Sequence, residues 1–241
     1  MSPIKNIFPV LIIIGCIFFS CKKLTQLPTK LPYPDQSFYE EFDTASSAAT
    51  RGWKFSNVSV PAGSGKWQDG GSTPYLFTAF SNMGVNAGFI GTTYQSTSAQ
   101  KGIISNWLIS PVITLQNGDT LIFYTRAQQK FDNGDTTDSG NRLQVRVNTN
   151  NDGTDVGIGQ EPGDFTQLLL DINPTLLRSS AISFQPNAYP ARWTRFEALV
   201  SGIEDSVSGR FAFRYFVPNG GSNGNGSGIG IDQVHYKSKG Y

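Results

Sequence analysis

Apolar and polar positions alternate most clearly in the second half of the chain. Leu143, Val145 and Val147 are separated by Gln144, Arg146 and Asn148, and Phe211, Phe213, Tyr215 and Val217 by Ala212, Arg214 and Phe216. Successive side chains of a strand point to opposite faces, so a period of two predicts strands with one buried and one wet face. Other strand-length runs are bounded by Gly, Pro, Asn or Asp, which interrupt pairing and favour turns. The predicted strands are Phe38–Phe42, Lys54–Val60, Tyr75–Phe80, Gly88–Thr93, Gly102–Ile109, Thr120–Arg126, Arg142–Asn148, Thr166–Ile172, Thr194–Val200, Gly209–Val217 and Gly228–Tyr236. Pro174 to Arg178 predicts one short helix, and no long segment repeats apolar residues at helical spacing. Many short strands without a long amphipathic helix predict an all-β fold, a jelly-roll-like antiparallel β-sandwich. The one low-complexity tract, Asn219 to Gly228, reads as a flexible connection into the last strand.

The beginning of the chain follows another pattern. Lys5 precedes a nearly continuous apolar run from Ile7 to Phe19, which stops at Ser20, Cys21, Lys22 and Lys23. That run is shorter than the roughly 20 residues a spanning helix needs, and a small residue before cysteine fits a cleaved export signal better. Phe18 to Cys21 resembles a lipobox, with Phe where Leu is common. Cutting at Cys16 would shorten the apolar core and leave Ile17, Phe18 and Phe19 on the mature protein, so Cys21 is the expected lipidation site. Residues 1–20 are then a lipoprotein signal peptide, and residues 21–36, with Pro28, Pro32 and Pro34, an extended tether. The sandwich domain is expected over 37–241.

Composition narrows the classes. Cys16 lies in the leader and Cys21 is the expected lipidation site, so the domain has no cysteine for a disulfide scaffold. Of 19 Lys and Arg, only Lys5 lies in the leader, leaving 18 basic against 18 acidic side chains, so no charge excess steers the domain toward nucleic acid. With 26 Gly, 17 Phe and only 15% charged residues, the chain suits strands and turns more than helices.

Four ordered stretches carry a family resemblance. They are Phe38 to Asp43 with Gly52 and Trp53; Trp107 to Phe123, with Ser110, Pro111 and the turn at Gly118; Trp193 to Phe196 with Gly209 to Tyr215; and Gly230, Ile231, Asp232 and Val234. Together they resemble the choice-of-anchor J and cleaved-adhesin type of β-sandwich of extracellular Bacteroidetes proteins. The resemblance implies a mostly non-catalytic jelly roll, an adhesion or glycan-binding role and, in some members, calcium.

Calcium takes six to eight oxygen ligands. Glu41 or Asp43 on the first strand and Asp232 on the last are the expected metal ligands, and the resemblance carries over to these positions. Two loops compete: Asp132 to Asn141, and Asn148 to Gly153, which resembles the opening of a calcium loop but has Gly159 where its glutamate would stand. Ordinary hairpin chemistry explains both more simply. The single histidine, His235, has no nucleophile motif near it and reads as a strand residue. A sandwich glycoside hydrolase needs two facing carboxylates, and the chain offers only Glu41 and Asp43 on one face. Trp53, Trp107 and Trp193 read as core. Trp67 differs: it stands with Gln68, Asp69 and Tyr75 in a polar, glycine-flanked loop from Gly63, where a ring can stack on a sugar and the polar side chains can read its hydroxyls. These four residues are the expected ligand surface.

The expected protein is a lipid-anchored module of the cell envelope, at the outer membrane or cell surface. It binds a glycan or a cell-surface protein, binds no nucleic acid and catalyses nothing. The alternative is a structural accessory subunit of an envelope complex.

Overall fold

Two antiparallel sheets face one another across an aromatic core in the computed structural model, which describes residues 34–71, 76–80, 88–132 and 134–239. The leader, Cys21, most of the expected tether and Tyr75 lie outside the described residues. The strands are β1 (Phe38–Glu40), β2 (Lys54–Asn57), β3 (Gln68–Asp69), β4 (Ile90–Thr93), β5 (Gly102–Ile109), β6 (Ile113–Leu115), β7 (Thr120–Ala127), β8 (Lys130–Asp132), β9 (Asp135–Thr137), β10 (Leu143–Asn148), β11 (Gln167–Ile172), β12 (Thr194–Leu199), β13 (Val207–Gly220) and β14 (Gly228–Lys237). One sheet runs β12-β7-β14-β4-β3, with β1 on the far half of β14. The other runs β11-β10-β13-β5-β2, with β6 on the first residues of β13. The fold is the expected all-β sandwich.

The alternating strands supply the core as their period predicts. Phe211, Phe213, Tyr215 and Val217 of β13 face inward with Leu143, Val145 and Val147, and all are buried. Across the sandwich Phe213 meets Phe123 edge-on at 4.9 Å, and Phe211 stacks on Tyr236 at 5.8 Å. Edge and stacked geometries suit the ring quadrupole, which adds to the area each ring buries.

The outer face of β13 departs from the expected wet face. Arg214 is 1% exposed, and its guanidinium donates to the carbonyls of Gly159, Gln160 and Glu161, at 2.7 to 3.2 Å, and to Ser105 Oγ at 3.1 Å. It also sits over the Phe216 ring at 3.9 Å. Burial pulls its pKa down to about 9. A loop therefore covers this face, held by an arginine that period-two logic assigns to solvent.

Local competition explains two further differences. No helix forms over 174–178, because the Asn173 side chain accepts from Leu177 N at 2.8 Å and donates to Asn141 O at 2.8 Å, offering the backbone another partner. A short helix forms instead as α1 (Ala45–Thr50), capped by Thr44, whose hydroxyl accepts from Ser47 N. Residues 76–80 are described without strand pairing.

Candidate functional site

The loop expected to bind ligand is divided by the fold. Trp67 is 1% exposed and part of the main core, so it is no surface platform; its polar neighbours hid a ring that turns inward. Gln68 and Asp69 are half-buried in β3, which pairs with β4, and the Asp69 carboxylate accepts from Ala45 N. The front of the loop lies elsewhere. Gly63 N donates to Ser96 O and Gly65 N to Gln95 O, each at 2.8 Å, while Asn57 Nδ2 donates to Gly65 O and Ser96 O, also at 2.8 Å. Glycine is needed here because a Cβ on Gly63 would lie 2.2 Å from Gln95 O, and one on Gly65 2.4 Å from Ser96 N. This close seating leaves Ser64 exposed beside Tyr94, Gln95 and Ser98 on the wall of a groove of about 430 Å³.

A second groove, of about 400 Å³, shares Ser222 with the first and is lined by Lys130, Phe131, Ser139, Arg178 and Asn223. Lys130 Nζ lies 4.0 Å from the Tyr94 ring centroid, so a cation–π pair joins the two linings. Phe131 is 79% exposed. It belongs to the hairpin of β8 and β9, where Asp132 pairs with Asp135 and Gly134 takes φ +83°, so the first part of the suspected calcium loop from Asp132 to Asn141 is paired as a hairpin. The other is organised by amide turns: Asn148 Oδ1 accepts from Asn150 N and Asn151 N, and Asn151 Oδ1 from Gly153 N.

The rim of the second groove is the tract that composition marked as a flexible connection. It is held by many bonds. Asn225 N donates to Asn219 O at 2.8 Å, Gly224 N to Gly221 O at 3.1 Å, Asn223 N to Gln100 O at 3.0 Å and Gly226 N to Ser139 O at 2.7 Å. Arg178 Nη2 donates to Asn225 Oδ1 at 2.7 Å. Beneath lies a buried polar cluster centred on Asn141, which donates to Asp138 O and Ser227 Oγ and accepts from Tyr215 Oη at 2.7 Å and Ser227 N at 3.0 Å. By contrast, the side chains of Ser64, Gln95, Ser98, Ser222 and Asn223 hydrogen-bond to no other described residue. They offer hydroxyl and amide groups to a ligand.

The expected metal residues do not form a set. Glu41 and Asp43 are exposed, whereas Asp232 is fully buried and accepts from Phe80 N at 2.9 Å and Gln233 N at 2.7 Å. The carboxylate that β1 turns inward is Glu40, paired with Arg51. Among the described residues no three His, Cys, Asp or Glu side chains group closely enough to hold a metal ion, and the residues named do not fit calcium. His235 is half-buried, with its ring stacked on Tyr39 at 3.9 Å. Trp53 and Trp107 are in the core as expected, while half-buried Trp193 packs edge-on against Phe77 and Phe89.

No family model matches the sequence, and no curated protein matches it. Similar solved structures include the K1 and K3 cleaved adhesin domains of Lys-gingipain from Porphyromonas gingivalis W83. Their identities are 19% and 15%, both TM-scores are 0.49, and the matches cover 85% and 84% of this chain and 99% and 97% of theirs. The CBM22-2 xylan-binding domain of Paenibacillus barcinonensis Xyn10C is similar at 10% identity and TM-score 0.40, over 83% of this chain and 99% of that domain.

Proposed function

We propose that this chain is a non-catalytic binding module that holds a glycan in the two adjoining grooves, and that a lipid on Cys21 tethers it to the envelope. One observation carries the reading: uncommitted hydroxyl and amide side chains at Ser64, Gln95, Ser98, Ser222 and Asn223 surround a groove edge bearing the exposed ring of Phe131. A sugar needs both parts, a face for its C–H groups and partners for its hydroxyls. Among the described lining residues there is no Asp or Glu, so paired carboxylates of the kind glycoside hydrolysis uses have no support from them.

The test is a glycan array probed with the full chain and with Phe131→Ala. Binding that weakens at least about tenfold in the variant, or about 1.4 kcal/mol, supports the reading. An array without retained glycans, or one indifferent to Phe131, rejects it. A second reading, recognition of a cell-surface protein, draws on Ile182 and Phe184, which are 81% and 77% exposed beside a further groove of about 530 Å³. The tether rests on the apolar leader ending at Cys21. Cys21→Ala is expected to move the protein from the membrane fraction to the soluble one, because acyl chains contribute about 0.8 kcal/mol per buried methylene.

A further inference from the structure

Among the described residues that line the grooves there is no Asp or Glu, while Lys130 and Arg178 bring two cations to the second groove. Arg178 is exposed, and all its bonds go to neutral acceptors: Nε and Nη2 to Asn225 Oδ1 at 3.3 and 2.7 Å, and Nη2 to Gly224 O at 3.4 Å. Its Nη1 donates to no described residue. These bonds fix the guanidinium against the Asn219–Gly226 rim and leave one edge turned to incoming groups.

Among the described side chains, Asp138 and Asp135 lie in the neighbourhood. Asp138 is 1% exposed, and its Oδ1 accepts from Gly140 N and Ser179 N. Asp135 is engaged by Thr136 N and Ile182 N on the hairpin. Neither makes an ion pair with Arg178.

From this arrangement we infer that the ligand is an anionic glycan, one whose sugars carry carboxylate or sulfate ester groups, with Arg178 as the side chain that selects it. The inference rests on the glycan reading of the same grooves and sharpens it. A neutral ring laid over Arg178 would strip water from a cation and return no charge. A carboxylate or sulfate replaces that water with a charge-assisted hydrogen bond, about twice as strong as a neutral one. The same groove therefore discriminates between two sugars that differ only in an acidic substituent.

An array printed with carboxylated, sulfated and neutral oligosaccharides, including oligogalacturonate beside its methyl-esterified form, tests this with the full chain. Acidic members are expected to bind at least about tenfold more tightly than neutral ones. That preference should collapse near 1 M salt, where the screening length falls to about 3 Å. The carboxylated and sulfated arms identify which acid is read. Arg178→Gln should abolish the preference, and Arg178→Lys, which loses the hold on Asn225 but keeps the charge, should restore part of it. Neutral glycans that bind as tightly as acidic ones, and that depend on Phe131 but not on Arg178, would overturn the anionic inference and leave the glycan reading standing. Loss of glycan binding altogether, or binding indifferent to both Phe131 and Arg178, would remove the reading and the inference together.

Discussion

Asn141 and Asn223 belong to the same end of the sandwich and illustrate two uses of one side chain. Asn141 is fully buried, and its amide meets Asp138 O, Ser227 Oγ, Tyr215 Oη and Ser227 N. Asn223 is exposed; its backbone N donates to Gln100 O, while its amide bonds to no described residue. The interior amide fixes where the loops start, and the rim amide is left available on the surface they form. The same division cuts through the loop from Gly63, where Trp67 enters the core and Ser64 stays on the groove wall. A buried polar group must be satisfied by the protein itself, whereas a groove group is free to meet a ligand.

The largest effect expected is at Trp67. Trp67→Ala should destabilise by about 3 to 5 kcal/mol, the usual cost of emptying a large aromatic site. For a domain of this size that lowers Tm by on the order of 10 °C. A melting curve shifted by less than a degree or two would return Trp67 to the rim and break the contrast within this loop. Asn141→Ala comes next, at about 2 to 3 kcal/mol, because it leaves the Tyr215 hydroxyl and Ser227 N–H buried without their acceptor. Denaturant titration measures it, and a change below about 0.5 kcal/mol would show that water replaces the amide there.

How much of this the sequence shows depends on whether a feature is local. Strands β10 and β13 are legible because alternation is a property of adjacent residues, and β5 and β14 because turn residues bound their apolar runs. The burial of Trp67 is not legible, since its immediate neighbours Lys66 and Gln68 are polar and only the distant β4 and α1 contacts of Gln68 and Asp69 set the turn inward. The rim from Asn219 to Gly226 reads as flexible by composition. Its order comes from pairings with Gln100, Ser139 and Arg178, which no local pattern announces. In the sequence Phe131 is one aromatic two residues before the pair Asn133 and Gly134, a placement that suits an exposed ring as well as a core strand.

Asp138 departs from the contrast, because it is buried yet its Oδ2 has no hydrogen-bond partner. Burial raises its pKa above the usual 3.8, with the Arg178 charge opposing in part. The folded state therefore holds the proton more tightly than the unfolded chain. The favourable contribution is complete below 3.8 and is lost as pH rises through the folded pKa. Asp138→Asn keeps an acceptor for Gly140 N and Ser179 N and removes the titration. Its Tm advantage over the parent should grow between about pH 3 and about pH 7, by less than either loss above. An advantage independent of pH would show that the carboxylate is solvated in the folded protein.

The smallest effect on stability is expected from Asn223→Ala, and it bears most directly on the comparison because it repeats the Asn141 substitution a short way up the same structure. The backbone bond from Asn223 N to Gln100 O survives the change, and residue 223 has no positive φ to strain an alanine. With no side-chain bond lost, the shift should stay within about ±0.5 kcal/mol, the range of ordinary surface substitutions. Binding should behave oppositely. If Asn223 reads a ligand hydroxyl in the groove, its removal leaves that hydroxyl unpaired and weakens retention on the array by about tenfold. Measured side by side, the two Asn→Ala variants should separate cleanly, one losing stability and the other affinity. A stability loss at Asn223 equal to that at Asn141 would mean that the rim amide is structural, and the distinction between interior and groove would fail at its simplest point.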